Sequence, residues 1–554
     1  MDTTPNRYRL TKHALSRFWH AHAWAGVITA LLVYIMFFLG AVVLFYRPLT
    51  VWEEPLLQRT PQALPSLERV VQLAAPESEE FYLYLPTGER ALAKVGYYLP
   101  DTTFWRMWWL DADAGLRIPE REKAAAFVYD LHYLWHDVTG YWLQYGAGVL
   151  VFGFLLALVT GALIHLGRFG RQLFQFRPDR DRRVLWSDLH KVAGVFGLPF
   201  QLVYALTGSM MVLSPLFFQL SIEPVFGGDA ARAVATAGAL VEDPPARDHG
   251  PPAAALPLDA LVARAREVEP RLEAESVVYR GYRHAQGTVD VRGPIAGQPF
   301  GDGLVRLNAA TGAFESLETP DRGAAVGTLA RWIHGLHTVE YGGLVARWML
   351  FVLALGGCIT LLTGNWIWIE RRAATNPNAR PSAGDALLAK LTAGVGVGCF
   401  TGLAALLLAS RLLPLDMRDR IAAEELALAG MFGAWIALAL VTRDSAVLWW
   451  RGLALSGALL ALVPLAAVRH SPLGLFGSGP RHSTVLTVDG VLLAAGIVLM
   501  ATAAVLRRHQ RQRASVRSPA RPDATSEPAV VSSAAGLAST RTATTRAASA
   551  PEPS

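Results

Sequence analysis

The chain has 554 residues, 52% of them hydrophobic and only 17% charged, with a formal net charge of +6. Soluble proteins carry about 25% charged residues, and here the apolar residues gather in runs of the roughly 20 residues needed to cross a bilayer, which excludes a soluble enzyme. The positive charge sits in Arg clusters beside those runs, where it sets membrane orientation, and no DNA- or RNA-binding motif is present, so nucleic acid is excluded as a partner.

In chain order, a basic N-terminus (Arg7, Arg9, Lys12, Arg17) precedes an apolar run from Trp24 to Tyr46. That run is too long for a signal-peptide core and lacks a small-x-small exit, so it reads as an uncleaved first span with the N-terminus in the cytoplasm. Hydropathy and length place eight spans at about 22–46, 138–165, 188–214, 342–369, 388–413, 424–442, 446–467 and 484–506. The connections after the second and fourth spans and the tail after the eighth are rich in Arg (Arg177, Arg180, Arg182, Arg183; Arg371, Arg372; Arg507, Arg508). Positive-inside logic puts all three in the cytoplasm with the N-terminus.

The resulting organisation is a cytoplasmic N-terminus and span 1 (1–46), a periplasmic domain (47–130), spans 2 and 3 with their Arg-rich loop (131–214), and a second periplasmic domain (215–335). Span 4 (336–372), four additional spans (385–506) and a disordered cytoplasmic tail (507–554) complete the chain. In the second periplasmic domain the spacing predicts a helix over Leu258–Val268, strands at 276–282, 288–292 and 304–308, and a turn at Asn308–Gly312, an α+β module. Residues 225–255 read as a mobile loop. Cys358 and Cys399 both fall inside spans, so there is neither a disulfide framework nor a cysteine-based metal site.

A repeat is visible. His22-Ala-Trp-Ala-Gly26 opens the first span and His190-Lys-Val-Ala-Gly194 the third, each followed after the same interval by a glycine, Gly40 and Gly208. The second and fourth spans each end in Thr-Gly (Thr160-Gly161, Thr363-Gly364). The fold class is therefore mainly α, a polytopic membrane protein whose first four spans form a bundle of two parallel helical-hairpin repeats, with α+β periplasmic insertions and four extra C-terminal spans.

Most of the 14 histidines crowd the ends of the first four spans. His20, His22, His165 and His190 lie at the cytoplasmic side, and His132, His136, His334 and His337 at the periplasmic side. Ionisable groups at membrane depth are costly and usually functional. Haem explains two such layers, since a bis-histidine haem takes one imidazole from each of two facing helices. With no C-x-x-C-H the haem is non-covalent, b-type, and there are two. Repeat logic pairs His22 with His190, with His165 as an alternative partner of His190. On the periplasmic side His132 or His136 on the second span meets His334 or His337 on the fourth. Gly26, Gly40, Gly194 and Gly208 supply faces where a flat macrocycle or a neighbouring helix approaches closely. Aromatics near the outer mouth, Trp105, Trp108 and Trp109 among them, read as an interfacial belt.

The segments HAWAGV at His22, LHYLWHDVTG at His132, FRPDRDRRVLWSDLHKVAGVFGLPF around His190 and GLHTVEYGG at His337 resemble the PepSY-associated transmembrane family, and within it the iron-regulated inner-membrane ferrisiderophore reductases. The stretch from Leu258 to Phe314 is similar to a PepSY module. The resemblance covers residues 10–372. It implies a bacterial inner-membrane oxidoreductase with four haem-carrying helices, PepSY-type domains over the outer haem, and one-electron reduction of a ferric siderophore or similar ferric chelate in the periplasm. No nucleotide or flavin signature is present, so electrons come from a separate cytoplasmic flavoprotein or from quinol, and lipid is the remaining partner. Two other classes fit the sequence. One is a non-enzymatic PepSY-type binding or regulatory protein on a membrane anchor. The other is a siderophore transport component, against which stands the lack of Asp, Glu or Lys in the centres of the last four spans.

Overall fold

The computed structural model describes residues 11–517 apart from 59–65, 75–77, 88–91, 99–104, 112–114, 120–122, 134–140, 166–175, 178–181, 231, 234–248, 299–301, 323–324, 340–341, 376–380, 415 and 468–479. The tail from 518 onward and most of the loop expected at 225–255 therefore lie outside the described residues. Eight of the described helices are long and apolar enough to cross a membrane, so the chain is a multi-pass membrane protein. They are α1 (Lys12–Val43), α5 (Tyr141–His165), α6 (Arg182–Phe226), α9 (Gly343–Thr375), α10 (Ala383–Leu412), α11 (Arg420–Val441), α12 (Ser445–Ala467) and α13 (Pro480–Arg517).

Two of these helices outrun expectation. Helix α6 continues past 214 through Pro215 and Pro224, having already passed Pro199. Each proline removes one backbone bond, which membrane helices tolerate when neighbouring groups satisfy the freed carbonyl. Helix α13 runs to Arg517 rather than ending at 506.

Helices α1, α5, α6 and α9 form one bundle. Helix α10 packs on it through a glycine-rich face, where the fully buried Tyr34 donates to the Gly396 carbonyl (2.8 Å) and Phe38 meets Phe400 edge-on at 4.8 Å. The last four spans are thus joined to the first four across a buried seam, which also holds Asn365 donating to Thr392 (3.1 Å).

The two segments between spans build a single antiparallel sheet of eight strands in the order β4-β3-β2-β1-β5-β6-β7-β8. The first segment supplies α3 (Leu67–Ala74), β1 (Phe81–Tyr84), β2 (Ala93–Tyr98), β3 (Trp105–Asp111) and β4 (Leu116–Pro119). The second supplies α7 (Leu258–Val268), β5 (Ser276–Arg280), β6 (Thr288–Pro294), β7 (Asp302–Asn308) and β8 (Phe314–Glu318). Each half is one helix followed by a four-stranded meander, and the halves meet through their first strands, Phe81 opposite Tyr279 and Leu83 opposite Val277. The two halves of the domain thus repeat one arrangement. Helices α3 and α7 cover one face, burying Val70, Val71, Leu258, Leu261 and Val262 against Leu83, Val95, Val277, Val291 and Val305. The tryptophans expected in an interfacial belt are strand residues instead, and Trp109 is buried.

On the sheet's other face Asp290 is fully buried and accepts from Arg280 (2.6 Å), Arg292 (3.2 Å) and Nε and Nη2 of Arg306 (2.6 and 2.8 Å). Burial alone would raise the Asp290 carboxyl, but the Arg306 hydrogen bonds and the three guanidinium charges outweigh it and hold the group below its ordinary value. At the turn after β7 the Asn308 side chain accepts from the Ala310 and Thr311 N–H groups (3.0 and 2.8 Å), and Gly312 takes a φ of 69° that favours glycine.

Candidate functional site

Two short helices, not the spans themselves, bring histidines to the sheet end of the bundle. Helix α4 (Ala124–His132) precedes α5, and α8 (Ala325–Thr338) precedes α9. His132 closes the first and His337 lies in the last turn of the second, so neither stands on the second or fourth span where the sequence placed them. Their rings lie 6.3 Å apart, centre to centre, with planes inclined by 27°. At the opposite end His22 of α1 and His190 of α6 lie 6.1 Å apart, inclined by 70°. Seventeen residues of α6 separate His190 from Thr207, which touches His337, so the two levels are roughly 25 Å apart at a rise of about 1.5 Å per residue.

Three of the four imidazoles are anchored in the same way. Nδ1–H of His22 donates to the Ala157 carbonyl (2.8 Å), that of His132 to Met36 (2.9 Å) and that of His190 to Thr360 (2.9 Å). Every one of these carbonyls lies four residues before a glycine: Gly161, Gly40 and Gly364. The glycine clears the space beside the ring, because a Cβ would meet Cε1 of His132 at 2.7 Å from Gly40, of His22 at 3.0 Å from Gly161 and of His190 at 3.4 Å from Gly364. His337 completes the set with Gly208 (3.1 Å), but its Nδ1 meets the Thr207 hydroxyl (2.9 Å). Thr207 already donates to the Val203 carbonyl (2.7 Å), so its oxygen accepts from the ring. In all four the proton is thereby fixed on Nδ1, leaving the Nε2 lone pair for a ligand.

Of the four glycines singled out by the repeat, Gly40 and Gly208 seat imidazoles. A Cβ at Gly26 would meet nothing within 4 Å, and one at Gly194 only Thr360 at 3.6 Å. Both line a cavity of about 790 Å³ around His22 and His190. His20 and His165 stand on the wall of the same cavity, while Arg183, Lys191 and Arg371 bring positive charge to it. Gln201 reaches the cavity fully buried, with neither amide atom satisfied by the described residues. Asp188, also fully buried, is held by two 2.9 Å bonds from Arg177, which ties the preceding loop down two residues from His190. Between the two levels Phe37 meets Phe154 and Phe200 edge-on (5.7 and 6.2 Å), and Tyr204 meets Phe200 (4.5 Å) and His337 (5.2 Å).

The ring separations carry chemical meaning. A metal–nitrogen bond of about 2.0–2.1 Å, plus about 1.1 Å from nitrogen to ring centre, puts two imidazoles on opposite sides of one ion about 6.3 Å apart. Among the described residues no three His, Cys, Asp or Glu side chains converge as a closed metal cage would require. His334 is exposed and His136 lies outside the described residues. The sequence did not single out Thr207, Gly161 or Gly364 as imidazole seats, although the Thr-Gly pairs of the second and fourth spans marked the two glycines.

Residues 19–371 match the PepSY-associated TM region. Over 273 residues the chain is 28% identical to an uncharacterised protein of Pseudomonas aeruginosa, an overlap that covers 48% of this chain and 67% of that one.

Proposed function

This chain belongs to the PepSY-associated transmembrane family, and we propose that it carries electrons across the bacterial inner membrane through two b-type haems to a ferric chelate in the periplasm. The observation that carries the reading is the equal construction of two imidazole pairs, 6.1 and 6.3 Å across, each ring holding its proton on Nδ1. His22 and His190 would hold the inner haem, and His132 and His337 the outer one. The cavity at the first pair suits a flat macrocycle, since Gly26 and Gly194 leave its floor open, and Arg183, Lys191 and Arg371 offer partners for carboxylates. When bound, haem supplies a one-electron carrier at each level.

The residues around it set where the electron can go. The Nδ1–H bonds orient each ring and raise its basicity. The aromatic packing of Phe37, Phe200 and Tyr204 excludes water between the levels. A cytoplasmic flavoprotein or quinol is the donor, because the chain has no nucleotide motif. The acceptor is a ferric siderophore or similar chelate near the sheet: iron(III) takes one electron, and the iron(II) formed is held less tightly by hard oxygen ligands. N- and C-termini face the cytoplasm in this arrangement.

Anaerobic reoxidation tests the reading. Reduced purified protein mixed with a ferric hydroxamate siderophore should return to its oxidised spectrum while iron(II) appears in a chelator assay. Spectra that stay reduced with every ferric chelate tried remove the acceptor assignment.

A further inference from the structure

We propose that Glu53 is a proton-accepting site coupled to the electron level at His132 and His337, completed by the last four spans; this rests on the electron-transfer reading above. After α1 the chain turns into α2 (Tyr46–Glu53), which inserts Trp52 and Glu53 between the two groups of spans, both buried. Glu53 accepts from the backbone N–H of Ala125 (3.0 Å) in the first turn of α4. That helix ends at His132, seven residues and roughly 10 Å further along its axis.

Around Glu53 stands a buried set of charges. Helix α10 brings Arg411, α11 brings Arg420 and Glu424, α13 brings Asp489, and α4 is preceded by Lys123 beside Glu54. Two of the cations are engaged, while Arg411 keeps Nε and Nη2 without a hydrogen-bond partner among the described residues. Lys123 binds Glu54 (2.5 Å), Arg420 binds Glu424 (2.9 Å), and Arg411 lies 4.0 Å from Asp489 while stacking on Trp52 at 3.8 Å. Trp52 in turn donates to Asp489 (2.7 Å). Three cations thus share four carboxylates: among the described residues none lies within ion-pair distance of Glu53, and Lys123 and Arg411 act on it only from further away.

A buried carboxylate without a counter-charge binds a proton instead. Burial pushes Glu53 up to about 8, against the lowering effect of the Ala125 N–H and Lys123. Glu53 also lines a cavity of about 190 Å³ between α2, α4 and strands β2 and β3, whose other charged walls include Lys94 and Asp130. That cavity gives water a place beside the carboxyl group. Negative charge arriving at the far end of α4 strengthens proton binding through Coulomb interaction in a poorly screened interior. The balance is one electron into the outer level and one proton from water onto the Glu53 carboxylate, both leaving when the acceptor is reduced.

The experiment is spectroelectrochemical titration of the purified full-length protein, with haem per chain measured first. Wild type should show one of two haem potentials falling as pH rises through about 8, and Glu53→Gln should hold that potential at its low-pH value throughout. Redox-difference infrared spectra of the wild type alone give a second reading: a protonated carboxyl band that changes on reduction and disappears at high pH. Two potentials that are flat from pH 6 to 9, a slope that survives in Glu53→Gln, or no carboxyl band overturns the proposal. A preparation without haem overturns the electron-transfer reading beneath it, and is told apart at the first step.

Discussion

The glycines beside the imidazoles make the sharpest prediction, because Gly→Ala has opposite effects on the helix and on the site. In a helix interior alanine is favoured over glycine by about 1 kcal/mol. At Gly40, however, the new Cβ would stand 2.7 Å from Cε1 of His132, where ordinary contact begins at 3.4 Å. The ring must retreat by the difference, about 0.7 Å, and it is held in place by its 2.9 Å bond to Met36. Overpacking of this kind costs roughly 1–3 kcal/mol, and a shift of that size is large against a metal–nitrogen bond of about 2.0 Å. At Gly364 the corresponding contact is 3.4 Å and needs no retreat. Gly40→Ala should therefore lose the outer haem and Gly364→Ala should keep both, with Gly161→Ala and Gly208→Ala between them. Haem per chain by pyridine haemochromogen, with a redox titration to show which haem is missing, reads this directly. Gly40→Ala with two haems at unchanged potentials, or Gly364→Ala as damaging as Gly40→Ala, would refute the reasoning.

Three further outcomes are expected. Thr207→Val removes the acceptor of the His337 Nδ1–H bond and should weaken retention of the outer haem 10–100-fold, as loss of outer-shell partners typically does, while leaving the inner one intact; competition with a haem-scavenging protein measures it. Asp290→Asn strips three arginines of their shared carboxylate and should destabilise the sheet by roughly 3–5 kcal/mol, visible in thermal unfolding. Because the folded Asp290 titrates below its unfolded value of about 3.9, its contribution is present above that pH and is lost as pH falls below it, so the wild type and Asp290→Asn should converge in acid. Trp52→Phe removes the indole N–H bonded to Asp489 and should loosen the last four spans from the bundle by roughly 1–3 kcal/mol, detected as earlier proteolysis of the C-terminal half.

The spans were readable because hydropathy and length are properties of the local sequence. Three of the four strands in the second half of the sheet were equally readable, since β6 and β7 alternate Val or Leu with Asp, Arg and Asn, whereas β8 was not predicted. The first half hid behind aromatic runs such as Phe81–Tyr84 and Trp105–Asp111, whose second face is also covered: Lys94, Met107 and Trp109 line a cavity against α2 and α4. The repeat pointed to His22 and His190, whose rings lie 6.1 Å apart, and the span ends grouped the other histidines. Neither chose between His334 and His337, because that choice depends on reaching Thr207, 130 residues away in sequence. The group around Glu53 was invisible for the same reason, its members lying on four helices and just before a fifth, and meeting only through the packing of α10, α11 and α13.

Electron transfer by this protein depends on four imidazoles holding iron porphyrin. Purified protein from haem-competent cells should show two haems per chain, with dithionite giving the sharp bands of six-coordinate b-type haem. His22→Ala and His337→Ala should each lose one of the two. A colourless preparation, or two haems that survive both substitutions, would contradict it.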